Sequence, residues 1–228
     1  MLMESQRLDQ TAVTQTALGN YLISMARTVE AMVNRAIEAL LESNAHLASQ
    51  VFLTEPHVNE MEIVIDEHAV KLLRKAELSE TDVRLLVATI KINNDLERMG
   101  DLAVNISQRV ISLTALPAAA APSELLPMSA AVQAMVRKSL GALIHRNPDL
   151  ASQVLASDDQ VDGYRDQIFE RLLAVITENP AAAGASLQFV LATRYLERIA
   201  DHATNVAEDI LFWVRGLEVR HGRGKKLA

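Results

Sequence analysis

The 228-residue chain contains no cysteine, which excludes a disulfide framework and thiolate metal sites and fits a reducing compartment. Aromatic residues make up only 4%, too few for the strand pattern of a β-protein. Glycine and proline are sparse, at 8 and 6 residues, and half the chain is apolar; that balance suits long helices. Basic charge is not in excess, since the formal net charge is −7. Such a chain argues against nucleic acid as the main partner, because phosphate backbones require a basic surface, and it permits cations. Charged residues interrupt every apolar run before the roughly 18 residues needed to span a bilayer. Residues Met1 to Gln10 also lack the apolar core of a signal peptide. The expectation is a cytoplasmic protein.

What the chain does have is a repeat. The stretch Leu196-Glu197-Arg198-Ile199-Ala200-Asp201-His202-Ala203-Thr204-Asn205-Val206 nearly copies Leu96-Glu97-Arg98-Met99-Gly100-Asp101-Leu102-Ala103-Val104-Asn105-Ile106, at an offset of 100 residues. One helix upstream, Glu62 and Asp66 match Asp162 and Asp166 at the same offset. Each half therefore carries two acidic pairs spaced i, i+4. The duplication favours two units of about 100 residues, each large enough to bury its own core.

Apolar residues recur at steps of three and four from about Gln6 to Asn44, through Leu18, Leu22, Met25, Val29, Met32, Val33, Ala36, Ile37 and Leu40, which predicts a long amphipathic helix. The same period predicts a second helix over His46 to Lys75, with a bend at Pro56. A third helix starts near Ser79-Glu80-Thr81-Asp82, close to a capping box, and ends near Leu113. The second half repeats the plan. Its helices run from about Leu126 to His145, Asp149 to Thr177 and Ala182 to Arg215, with breaks at Asn147-Pro148 and Asn179-Pro180. The expected fold class is all-α, with two tandem pseudo-symmetric three-helix bundles: residues 1–113 and 124–216, joined by a linker 114–123 and followed by a basic tail 217–228. That tail reads as a solvated end or as a docking segment for an acidic partner.

At about 100° per residue, Asp101 lies near 40° from Glu97, whereas Met99, Leu102, Ala103, Ile106 and Val110 gather on the far side. The acids face away from the core. Glu62 and Asp66 flank their apolar stripe, so helices two and three can set the acidic flanks side by side. Acidic pairs are common on solvated faces, and Arg98 and Arg198 can neutralise Asp101 and Asp201 at i, i+3. Like charges four apart nevertheless repel, and here the arrangement occurs four times in one register. A bound cation is the simplest neutraliser. With carboxylates and amides but no thiols, the candidate ligands Glu62, Asp66, Glu97, Asp101, Asp162, Asp166, Glu197 and Asp201 suit a hard ion. Asn105 and Asn205 are candidates for supporting contacts, and His202 reads as an interface histidine.

Two other readings compete with a metal-binding regulator: a helical scaffold with a merely solvated acidic face, and a carboxylate-bridged metal enzyme. The latter class places Glu-x-x-His motifs inward on two helices, whereas the Glu-x-x-His of this chain, Glu218 to His221, lies beyond the last helix. Gly216, Gly222 and Gly224 precede no helix, so no phosphate-cradling loop is formed. No serine sits in a nucleophile elbow either. The expectation is a non-enzyme.

The repeated Leu-Glu-Arg-x-x-Asp-x-x-x-Asn, the Val58-Asn59-Glu60-Met61-Glu62 and Ile65-Asp66-Glu67 words, and Val219-Arg220-His221 resemble the PhoU family of regulators of phosphate-specific transport. The resemblance implies metal clusters at the acidic motifs, iron first and otherwise Mn, Mg, Ca or Zn. It also implies negative regulation of phosphate uptake and phosphate-responsive transcription. The implied partners are the transporter's ATPase subunit and a membrane-bound sensor histidine kinase, with a homodimer as the expected self-association. Two departures stand out: Thr54-Glu55-Pro56, expected to bend the helix entering the first site, and Gly163, which weakens the helix beside Asp162 by about 1 kcal/mol relative to Ala.

Overall fold

The computed structural model describes the backbone of residues 2–74, 78–117, 120–219 and 225–226, and the side chains of 17–74, 78–117 and 120–219. The helices are α1 (Leu2–Glu42), α2 (Ala45–Leu73), α3 (Glu80–Thr114), α4 (Leu125–His145), α5 (Pro148–Leu155), α6 (Asp158–Glu178) and α7 (Ala183–Arg215), with a 3-10 turn at Pro180–Ala182. A two-residue antiparallel ribbon follows, pairing Leu217 with Lys226 and Glu218 with Lys225. Of the basic tail, Arg220, His221 and Arg223 lie outside the described residues, as does Lys75 after α2. No described helix is long and apolar enough to cross a membrane.

The helix boundaries follow local chemistry. Asn44 caps α2, its side chain accepting from the backbone N–H of His46 and Leu47. Ser79 and Asp82 form a full capping box on α3: the Asp82 N–H donates to Ser79 Oγ and the Ser79 N–H to Asp82 Oδ2. Asn147 caps α5 in the same way as Asn44. Gly216 ends α7 in the left-handed region at φ 64°, where a side chain is disfavoured.

Two expectations change. Helix α2 runs through Pro56 without interruption. Instead the second half breaks, at Ala156 and Ser157, the repeat equivalents of Pro56 and His57. There the Ser157 N–H turns back to the Val154 carbonyl, three residues away, which tightens and ends α5. The new start places Asp158 and Asp159 in the first turn of α6, where the helix dipole favours negative charge. Gly163 sits inside α6, which continues through it.

The first three helices pack on one another, α4 to α6 pack with α7, and α3 lies along α7. Every apolar residue named above for α1 is buried. The buried residues do not form two separate cores. They form one continuous cluster from Leu18 to Leu211, because α3 and α7 cover each other. Polar contacts fix how these two helices meet. Asp95 Oδ1 accepts from His202 Nδ1 at 2.8 Å and from Asn205 Nδ2 at 3.2 Å. Lys91 Nζ lies 3.3 Å from Asp209 Oδ1, and Arg109 donates to Gln188 Oε1 at 3.2 Å. Ascending residues of α3 meet descending residues of α7, so the two copies of the repeated motif cross antiparallel. His202 is therefore an interface histidine, and Asn205 serves this seam, not the acidic ridge.

Candidate functional site

In the first half, α2 contributes Glu62 and Asp66, and α3 contributes Glu97 and Asp101. Asn93, itself buried, ties the two helices by donating to the Glu62 carbonyl at 3.0 Å and to Asp66 Oδ1 at 2.9 Å. That link sets the acidic flanks next to each other, as the periodicity predicts. The four carboxylates share one electrostatic field. Burial, then the charge of Asp66, pushes Glu62 above the ordinary carboxylate range; Arg98 opposes this and Asp101 adds to it. Burial likewise raises Glu97, followed by Asp101, with Arg98 opposing and Glu62 adding. Arg98 is half exposed and only flanks the group, 3.7 Å from Asp101 Oδ2. Glu97 Oε2 is buried and accepts no hydrogen bond, although Arg98 Nε stands 3.3 Å away. A buried carboxylate oxygen without a donor is costly.

In the second half, α6 contributes Asp162 and Asp166, and α7 contributes Glu197 and Asp201. A fifth acid, Asp158, joins them, raised by burial and then by Asp162, Asp159 and Glu197. Burial also raises Asp201, followed by Glu197, Asp158 and Asp162, with His202 opposing. Asp158 escaped the sequence reading although a signal was there, since 158, 162 and 166 continue the four-residue spacing. Arg165 escaped it too. Its Nη1 donates to Glu197 Oε1 at 2.6 Å and to Asp162 Oδ1 at 2.8 Å, and its Nε to Asp166 Oδ1 at 2.9 Å.

Among the described residues, no three His, Asp or Glu side chains converge so as to hold one ion as they stand. In donor type the first half still fits a hard cation, with four carboxylates and a buried oxygen of Glu97 that accepts no hydrogen bond and meets only the flanking Arg98. The second half does not fit, because a guanidinium already engages three of its acids. Asn105 makes no hydrogen bond to the acids among the described residues, and Asn205 is committed to Asp95.

The raised carboxylates have a pH consequence whose sign is fixed. A folded-state pKa above the unfolded one gives stability that is complete below the unfolded value, 4.5 for Glu97 and 3.8 for Asp201, and lost as pH rises through the folded value. The metal-free protein is expected to melt at a higher temperature near pH 5 than near pH 7.5. Glu97→Gln is expected to flatten that slope and raise the melting temperature near pH 7.5. Thermal melts across the pH series check this, and an unchanged slope in the variant would remove Glu97 from the account.

The fold and the site define a class: a duplicated all-α protein whose two halves each carry an acidic ridge on a pair of helices, α2 with α3 and α6 with α7. The PhoU domain model matches residues 22–110 and again 125–210, and the chain belongs to the PhoU family. A relative from Pseudomonas aeruginosa, a phosphate-specific transport system accessory protein PhoU homolog, is 36% identical over 205 residues, covering 89% of this chain and 84% of the relative. A homolog of the same description from Clostridium acetobutylicum is 30% identical, covering 89% of this chain and 93% of the relative. The crystal structure of PhoU from Pseudomonas aeruginosa superposes with a TM-score of 0.87 at 33% identity, covering 90% of this chain and 99% of that one.

Proposed function

We propose that this chain is a non-enzymatic accessory protein of phosphate-specific transport that restrains phosphate uptake and phosphate-responsive transcription. Membership of the PhoU family in both halves carries this reading, because the curated relatives are named as accessory proteins of that transport system. The chain acts from the cytoplasmic side through the transporter's ATPase subunit and a sensor histidine kinase. The acidic ridge of the first half would hold a hard cation such as iron or manganese, adding positive charge among four carboxylates, whereas Arg165 already supplies that charge in the second half. The side chains of Glu62, Asp66, Glu97 and Asp101 would hold it in the first half. The absence of three converged acids among the described residues favours, as the second reading, an adaptor that works without metal.

Deletion of the gene in its own host is expected to leave phosphate uptake high in phosphate-rich medium, and the tagged chain is expected to capture the transporter's ATPase subunit. Unchanged uptake on deletion, with no capture of that subunit, overturns the proposal.

A further inference from the structure

The two copies of the repeated motif differ at one position that decides their electrostatics. Residue 65 is isoleucine and fully buried, one of a stripe with Met61, Ala69 and Leu72. Its repeat equivalent is Arg165. The α6 helix buries Val161, Ile168 and Leu172 and packs Tyr164 on the core, while Phe169, the equivalent of Ala69, is exposed. Relative to α2, this helix is rolled so that position 165 leaves the core and comes out beside Glu197.

There the guanidinium takes the place a counter-ion would take. Glu97 in the first half keeps a buried oxygen that accepts no hydrogen bond, its ion pair with the half-exposed Arg98 being long at 3.3 Å, whereas Glu197 receives Arg165 at 2.6 Å and two further acids share the same fork. Charge-assisted contacts of this length are the strong ones, and the planar fork orients all three acids together. The acids in turn hold Arg165 more firmly protonated, Asp166 and Glu197 contributing most. A cation entering the second ridge would have to displace a fixed positive group.

We infer that Arg165 is a resident cation that keeps the second acidic motif closed to metal, so that this one side chain confines metal binding to the first motif. The inference rests on the proposed metal binding at the first motif, and the arms below separate the two.

Metal-free protein is titrated with Mn²⁺ by calorimetry, and bound Mn²⁺ is counted by elemental analysis after gel filtration. In the native chain, Glu97→Ala is expected to remove the bound Mn²⁺ and Glu197→Ala to leave it unchanged. Arg165→Ala is expected to bind about twice as much, and the added ions are expected to disappear with Glu197→Ala but not with Glu97→Ala. Arg165→Lys, which keeps the charge without the fork, is expected to gain fewer ions than Arg165→Ala. Loss of Mn²⁺ from the native chain on Glu197→Ala overturns the inference and leaves metal binding intact as a property. No gain in a folded Arg165→Ala protein overturns it as well. Mn²⁺ absent from the native chain but bound by Arg165→Ala through Glu197 sinks the first-motif reading and supports the gate. If Arg165→Ala fails to fold, the Glu197→Ala arm in the native chain still decides.

Discussion

Glu97→Ala combined with Asp101→Ala is expected to abolish metal uptake at the first motif while leaving the helical circular dichroism unchanged. Both side chains stand on the flank of α3 that faces α2, and neither belongs to the apolar cluster. Removing them deletes half of the first carboxylate set, including the buried Glu97 oxygen that accepts no hydrogen bond. The same change relieves repulsion among Glu62, Asp66 and their neighbours, so the metal-free variant should melt no lower than the native chain. Elemental analysis and far-ultraviolet dichroism on one preparation give both answers. A clear loss of helical signal would mean that these acids support the core, contrary to their placement here.

Leu196→Ala carries the largest expected effect on stability. Leu196 and its copy Leu96 are both fully buried, and truncating a packed leucine costs about 2–5 kcal/mol through lost transfer energy and the cavity left behind. For a chain of this size that corresponds to a fall of roughly 5–15 °C in melting temperature. Because the core is continuous between the halves, the loss should appear in one cooperative calorimetric transition, not in the second half alone. Leu53→Ala, at a position 82% exposed, is the control and should change stability by no more than about 0.5 kcal/mol. Two resolved transitions in the Leu196→Ala protein would contradict the shared core.

The helices were readable because an apolar period of 3.6 survives in single residues, and their ends because asparagine, serine and glycine cap by local chemistry. The side on which Glu97 and Asp101 lie follows from the same geometry. Other features were out of reach for physical reasons. The break after Leu155 has neither proline nor glycine to announce it, while Pro56, which advertises a break, sits in an unbroken helix. Helical period locates an acidic flank only to within tens of degrees, so the roll that turns Arg165 outward, with Tyr164 on the core and Phe169 exposed, was not legible from it. The joining of the halves was hidden because it is built partly from polar side chains. Asp95 and Asp209 are buried against α7 and within it, and a hydrophobic pattern counts both as surface.

The antiparallel crossing of α3 and α7 speaks to how such a chain arose. Each of these helices presents to the other the face that its own copy presents in return, so the geometry is that of a two-fold axis drawn through a single polypeptide. A forerunner with one repeat would have left that face bare unless a twin molecule covered it. Fusion would make such a pairing permanent and free the copies to drift apart, as Asp95, which accepts from His202, and its counterpart Tyr195 have done.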